Sequence, residues 1–394
     1  METLRMVTVV APVNIAVIKY WGKRDENLIL PLNGSISGTL STNQMCAKTT
    51  VSFSRNFTRN RIWLNGVEET FENRRLINCL NEVRRRAKEQ GKISPEELEY
   101  NVHICSVNNF PTAAGLASSA AGYACLVASL SKLYQLDGDI SSIARQGSGS
   151  ACRSIYGGFV EWIAGDKNDG TDSCAVQVVD SNHWNEMRVL ILVVSENKKK
   201  TGSTAGMQTS VATSELLKTR VSQVVPKRLA DIKQAIYNKD FKTFADITMQ
   251  DSNQFHAVCL DTYPPLVYMS EVSHAISDLI HQINEEAGKT IVAYTFDAGP
   301  NACLYLLEEH VPLVLAAVNH VFPTTQNADT YFTGIPVTLD SQLEKKLPKI
   351  VERTPWDPNA LRYTVHTKIG EGPKELTAAD HLLGANGHPT PMAF

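Results

Sequence analysis

The sequence lacks several features that would narrow its function at once. None of its eight cysteines, at 46, 79, 105, 125, 152, 174, 259 and 303, forms a C-x-x-C pair. No charged segment followed by an apolar stretch opens the chain at Met1-Glu2-Thr3-Leu4-Arg5, so no secretory signal is expected. Free thiols in a reducing compartment are then the expectation, not a disulfide framework, and the sequons at Asn33 and Asn56 read as chance. Charge of one sign is also missing. A formal net charge of −3 gives no global basic field for nucleic acid or anionic lipid, so any anion site must be local. The stretch between Glu99 and Lys132 carries no Asp, Glu, Lys or Arg. It is interrupted by Asn108, Asn109, Pro111 and Gly115, and its apolar members are mostly alanine, too weak for a membrane span. Familiar nucleotide motifs are absent or broken. Gly288-Lys289-Thr290 resembles the end of a P-loop, but Ile283 stands where its first glycine belongs and a strand follows. There is no Rossmann fingerprint and no protein-kinase catalytic loop. His256 and Cys259 form a lone H-x-x-C, read as structural.

What remains is an ordinary globular composition: 394 residues, 43% apolar and 20% charged. That length suggests two domains and permits a sizeable core. Val7 to Val17, interrupted by Pro12, Ala47 to Phe53, Arg61 to Leu64 and Asn101 to Asn108 read as strands, and Asn73 to Gln90 as a charged helix. Ala113 to Tyr134 reads as a helix of small residues. Ser141 to Arg145 is a short helix, Gly147 to Ser150 a loop with another helix from about Ala151, and Phe159 to Trp162 a strand. After the strand Arg188 to Ser195 the texture turns helical: Met207 to Ser222, Lys227 to Tyr237, Phe241 to Asp251 and Pro265 to Ala287. Ile291 to Phe296 and Asn301 to Leu307 read as a strand pair joined by Asp297-Ala298-Gly299-Pro300. The fold class is therefore mixed α/β (α+β), with a boundary placed near Met187, giving parts 1–187 and 188–394.

Three segments gather Gly, Ser and Thr near helix starts. In Pro111 to Ala120, backbone N–H groups and serine hydroxyls suit phosphate oxygens or a magnesium ion. A tightly packed helix would use the same small residues. Gly147-Ser148-Gly149-Ser150-Ala151-Cys152-Arg153 puts an arginine fork beside a serine loop, which serves either an anion or a flexible surface turn. Lys198 to Thr204 is either a solvated lysine face or the wall of an anion site.

Taken in order, these strings resemble a known family. Pro111 to Ala120 resembles the phosphate loop of the GHMP kinase superfamily. Ala11 to Asp25, Asn108 to Gly122, Gly147 to Arg153 with Tyr156-Gly157-Gly158, Asp251 to His256 and Tyr294 to Asn301 are similar to the mevalonate diphosphate decarboxylases within it. The likeness covers nearly the whole chain and is weakest after about Thr324. It implies a GHMP-kinase fold, with a ribosomal S5 domain 2-like N-terminal part and a ferredoxin-like C-terminal part around a central cleft. It implies ATP-dependent decarboxylation of mevalonate 5-diphosphate in isoprenoid and sterol synthesis. ATP and Mg2+ would be needed but no redox cofactor. The implied setting is a cytosolic homodimer with no nucleic-acid or membrane partner.

Residue by residue, the resemblance makes Asp297 the group that activates the substrate hydroxyl, Lys19 its partner, and Arg153 the grip on the substrate carboxylate. Without it, Asp297 reads as the start of a tight turn and Lys19 as a surface residue ending a strand. It gives Asn14, Tyr20, Trp21, Gly22, Lys23, Arg75, Ser148, Gly149, Ser150, Ala151, Cys152, Ser203 and Thr204 to the substrate; Arg75 has Arg74 as a neighbouring alternative. It gives Pro111, Thr112, Ala113, Ala114, Gly115, Leu116, Ala117, Ser118 and Ser119 to ATP, with Ser119 on magnesium. A sister kinase that phosphorylates and stops, or a ligand sensor without turnover, are the rivals. Tyr20 to Lys23, Ser148 to Arg153 and the retained Lys19, Arg153, Ser119 and Asp297 favour the decarboxylase.

Overall fold

The β-branched, alternating stretches near the N-terminus build the first of three main sheets in the computed structural model, which describes residues 4–110, 118–195 and 200–391. Strand Arg5–Pro12 runs antiparallel to Cys46–Ser54, with Arg5 opposite Phe53 and Pro12 opposite Cys46. Asn101–Asn108 follows, then Arg61–Leu64 parallel to it, then Val67–Glu69 at the edge. The other edge is Lys374–Glu375, so the C-terminal stretch returns to this sheet. It is tied down there by the Leu382 N–H donated to Thr50 Oγ1.

Helix Ser118–Leu133 lies on the first sheet. Its buried Ala121, Ala124 and Ala128 let the helix come close to the strands. Cys125 Sγ reaches Val9 O at 3.0 Å, and Ser129 Oγ reaches Thr49 O at 3.2 Å. Helix Arg74–Gln90 starts at Asn73, whose side chain accepts the Arg75 and Leu76 N–H groups, and stops at Gly91 in the left-handed conformation.

The second sheet has the order Ala175–Val179, Phe159–Trp162, Ser35–Thr39, Asn14–Ile18. The third has the order Val292–Phe296, Ala302–Leu307, Met187–Val193, Tyr363–Lys368, Phe332–Gly334. Every residue of Met187–Val193 is buried, Arg188 included, as the apolar run Val189 to Val193 requires of a strand covered on both faces.

Several elements differ from the sequence reading. The first strand is interrupted at Val13, not Pro12, which ends it paired with Cys46. Of the long helix of small residues, Ser118–Leu133 is present and 113–117 lies outside the described residues. The expected loop at 147–150 is the end of helix Ser141–Gly147 followed by a 3-10 turn, Gly149–Ile155. Met207 to Ser222 is not one helix. Ser203–Thr213 ends at Ser214, whose side chain caps Glu215–Thr219, and a π turn spans Arg220–Val224. The helix expected from Phe241 runs on to Asp261. The one expected from Pro265 begins only at Glu271, where Ser270 caps it in a reciprocal box with Ser273.

Gly147 packs under the ring of Tyr123, where an added Cβ would sit 2.2 Å from Cδ1. Gly147→Ala is expected to overpack this contact and destabilise the protein by about 1–3 kcal/mol. A lowered thermal unfolding midpoint checks this; an unchanged midpoint would mean the Tyr123 ring moves aside freely.

Candidate active site

Two strand ends from different sheets meet at the centre of the site. Asn14–Ile18 delivers Lys19, and Val292–Phe296 delivers Asp297. The sheets are fastened just behind them: Tyr305 OH donates to Ile15 O at 2.9 Å and Thr295 Oγ1 to Ala16 O at 3.5 Å. Lys19 Nζ lies 2.6 Å from Asp297 Oδ1. The lysine side chain is 4% exposed and the aspartate 32%, so the buried ammonium fixes a carboxylate that still faces the cavity. Asp297 also opens the tight turn its sequence suggests, its backbone carbonyl accepting the Gly299 N–H at 2.7 Å. Asn301 Oδ1 accepts the Val194 and Ser195 N–H groups and anchors that turn to the neighbouring strand.

Arg153, on the 3-10 turn, is buried. Its Nε donates to Ser37 Oγ at 2.9 Å, Nη1 to Ser35 Oγ at 2.5 Å and Nη2 to Asn14 Oδ1 at 3.3 Å. Ser35 and Ser37 lie two apart on one strand, so both point to the same face. Burial lowers the Arg153 pKa, although nearby Cys152 and Asp297 act the other way. No carboxylate among the described residues forms an ion pair with it. A buried cation held in plane by neutral oxygens is built to receive an anion.

These groups open into a cavity of about 590 Å3. Of the residues singled out in the sequence, it is lined by Asn14, Lys19, Tyr20, Trp21, Lys23, Arg75, Ser118, Ser119, Ser148, Gly149, Ser150, Arg153, Ser203, Thr204 and Asp297. Arg75 faces it and donates to Thr204 Oγ1 at 3.2 Å, whereas Arg74 is exposed. Lys200 joins it from the lysine run; Lys198 and Lys199 lie outside the described residues, as do Pro111 to Ala117. Five cations, Lys19, Lys23, Arg75, Arg153 and Lys200, thus face one carboxylate, Asp297, among the described lining residues. With a net charge of −3 and no global basic field, this cluster is a local anion site.

Gly22, Ala151 and Cys152 do not line the cavity. Gly22 has φ +91°, and an added Cβ would meet Leu32 Cδ1 at 2.7 Å, so it shapes the turn that carries Trp21 and Lys23. Ala151 is buried and its N–H bonds Ser148 O. Burial pushes the Cys152 thiol up to about 12, which makes it a poor nucleophile. Trp21 turns its indole N–H to Ser210 Oγ at 2.9 Å and packs edge-on against Phe255.

A second cavity, about 600 Å3, shares Ser118 and Ser119 with the first. Ile62, Leu64, Val67, Leu76, Ile104 and Leu126 give it an apolar wall, and Asn65, Asn73, Ser106, Asn108, two threonines and the carboxylate of Glu69 are its polar points. At the junction Ser119 Oγ and Ser148 Oγ are 3.3 Å apart.

Sequence reading missed Phe255, Met207 and Ala298 on the cavity wall and the serines behind Arg153. The two-residue spacing of Ser35 and Ser37 was the available signal. His256 and Cys259 are both buried, and no cluster of three possible metal ligands occurs among the described residues. Burial, reinforced by the Lys19 charge, pushes the His256 pKa down to about 4 and keeps its ring neutral.

Comparison with known proteins agrees with this geometry. Residues 11–175 match the diphosphomevalonate decarboxylase-like N-terminal domain, and residues 189–376 the mevalonate 5-diphosphate decarboxylase C-terminal domain. Diphosphomevalonate decarboxylase of Danio rerio is 52% identical over 396 residues, covering 100% of this chain and 98% of that one. The solved structure of mevalonate diphosphate decarboxylase from Trypanosoma brucei superimposes with a TM-score of 0.85 at 38% identity, covering 96% and 100%. A structure in complex with MVAPP, AMPPCP and magnesium gives 0.73 at 30% identity, covering 95% and 100%. With this fold, both domain matches and more than half of its residues shared over its full length, the chain belongs to the mevalonate diphosphate decarboxylase family of GHMP-fold enzymes.

Proposed function

We propose that the chain converts mevalonate 5-diphosphate and ATP into isopentenyl diphosphate, ADP, phosphate and carbon dioxide. The observation that carries this reading is the Lys19–Asp297 contact of 2.6 Å in one cavity with an arginine, Arg153, that no carboxylate among the described residues pairs. A tertiary C3 hydroxyl leaves poorly. Asp297 accepts its proton while the oxygen bonds to the γ-phosphorus of ATP and the bond to ADP breaks. The C3–O bond then breaks with the electron pair going to phosphate. The electrons of the C–CO2 bond become the new C=C, and carbon dioxide departs. Lys19 keeps the Asp297 carboxylate in place and faces the transferring phosphoryl charge.

Arg153 holds the substrate carboxylate in one plane. It orients more than it stabilises charge, because a carboxylate bound too strongly resists leaving as neutral carbon dioxide. Lys23, Arg75 and Lys200 surround the space for the diphosphate tail, with Tyr20, Trp21, Ser148, Gly149, Ser150, Ser203 and Thr204 shaping it. Ser118 and Ser119, with 111–117, take the ATP phosphates, and the second cavity takes the nucleoside. The Ser119 hydroxyl is an oxygen donor of the kind magnesium accepts, beside phosphates that would complete its shell. When bound, the ion neutralises phosphate charge. The same reading comprises two parts, 1–187 and 188–394, in a cytosolic homodimer serving isoprenoid, sterol and cholesterol synthesis. The opening of the third sheet at Met187 supports the boundary, although Lys374–Glu375 and Leu382 pack on the first sheet and so belong with the N-terminal part.

Asp297→Asn is expected to lower kcat by about 10²–10⁴-fold with a normal circular dichroism spectrum, because proton acceptance is lost. Near-parent turnover in that variant would overturn the role. Arg153→Lys keeps a cation but loses the fork. Losing a charge-assisted hydrogen bond worth about 1.5–3 kcal/mol predicts roughly 10–100-fold lower kcat/KM for the diphosphate substrate. Unchanged kinetics would remove the carboxylate grip from Arg153.

A further inference from the structure

The Lys19 ammonium is poised by the peptide that carries it, and that peptide is held in an unusual way. Its strand ends at Ile18, so sheet pairing does not extend to Lys19. The Lys19 N–H donates to Asp251 Oδ2 at 2.8 Å. Its carbonyl accepts Arg220 Nη2 at 3.0 Å and Asn33 Nδ2 at 3.1 Å. Arg220 and Asp251 grip one another as well, with Nη1–Oδ1 and Nη2–Oδ2 both at 2.8 Å. Arg228 Nη1 adds a contact to Oδ1 at 3.0 Å, and Gln254 Oε1 accepts from both arginines. Both side chains of the central pair are completely buried. Burial alone would push the Asp251 carboxyl up, but the Arg220 charge and hydrogen bonds outweigh it and hold the group below its usual range.

We propose that Arg220 and Asp251 are positioning residues for the reaction: together they clamp both polar groups of the Lys19 peptide and so place the Lys19 ammonium against Asp297. The proposal rests on the catalytic reading of Lys19. A buried ion pair is a poor source of net stability, since apolar groups of equal volume fill the same space at no desolvation cost. Apolar groups could not hold the N–H and the C=O of one residue together. Arg220 opens the π turn Arg220–Val224, an irregular helical segment of a kind frequent at functional sites. Asp251 and Phe255, one turn apart on helix Phe241–Asp261, face the Lys19 peptide and the cavity wall respectively, so one helix supports the clamp and the site.

The test is a double-mutant cycle in the full-length enzyme with mevalonate 5-diphosphate and Mg-ATP. Arg220→Lys keeps a charge for Asp251 but cannot fork to both the carboxylate and the Lys19 carbonyl. It is expected to lower kcat by about 10–100-fold, as a misplacement of the order of 1 Å does, while KM for either substrate changes less than about threefold. In a Lys19→Ala background the same substitution should cost less than about twofold, because it acts through Lys19. Multiplying losses, or a folded Arg220→Lys enzyme with parent kcat, would overturn the clamp. If Arg220→Lys does not fold, Asn33→Ala, which leaves no charge unpaired, is judged on the same cycle and should show the same pattern at smaller size. If Lys19→Ala itself turns over at the parent rate, the catalytic reading of Lys19 fails and the clamp falls with it. A crippled Lys19→Ala beside an unaffected Arg220→Lys removes the clamp alone.

Discussion

The contact between Lys19 and Asp297 is the constraint from which the rest of the site follows. Its two members stand at the ends of strands in different sheets, so 2.6 Å is reached only when the four-stranded and five-stranded sheets are locked together. The hydroxyl of Tyr305 on the Ile15 carbonyl and that of Thr295 on the Ala16 carbonyl provide this lock directly behind the pair. The 3-10 turn Gly149–Ile155 and helix Ser203–Thr213 supply walls of the cavity.

Buried positive charge is the second theme. Arg153 is surrounded by hydroxyls and an amide, while Arg220 is paired with Asp251. The difference suits different tasks. A paired, buried arginine is fixed, and removing its partner costs about 3–5 kcal/mol. An arginine satisfied by neutral dipoles, as Arg153 is among the described residues, keeps its charge available to an incoming anion. Gly149 completes the arrangement: an added Cβ would fall 2.8 Å from Trp162 and 3.0 Å from Tyr20, so only glycine lets the loop approach these rings.

Much of this was legible in the sequence because local signals agreed with the fold. Asn73 and Gly91 bound a helix as caps should, and the run from Met187 to Val193 is a buried strand. Legibility failed where distant parts of the chain decide the outcome. The helical period over Met207 to Ser222 gave no warning that Ser214 would cap a new segment and that a π turn would follow. Tyr363–Lys368 lies beside Met187–Val193 in the third sheet, yet it carries Thr, His and Lys and shows no apolar run. The site divides in the same way. The Gly/Ser string marked Ser148 to Ser150 and the family resemblance marked Lys19, Arg153 and Asp297, and the structure brings these into one cavity. Arg220 and Asp251 were legible only as members of helical stretches, Asp251 also opening a family-like string, because burial of an ion pair is invisible until the helices are packed against Lys19.

The most direct measurement uses mevalonate 5-diphosphate labelled at its carboxyl carbon, with Mg-ATP, and follows ADP and labelled carbon dioxide together. A paired acid and base beside an arginine grip should release one carbon dioxide for each ADP. ADP without carbon dioxide would contradict this, leaving a phosphoryl transfer that stops at C3 and an Arg153 that holds a carboxylate it never releases.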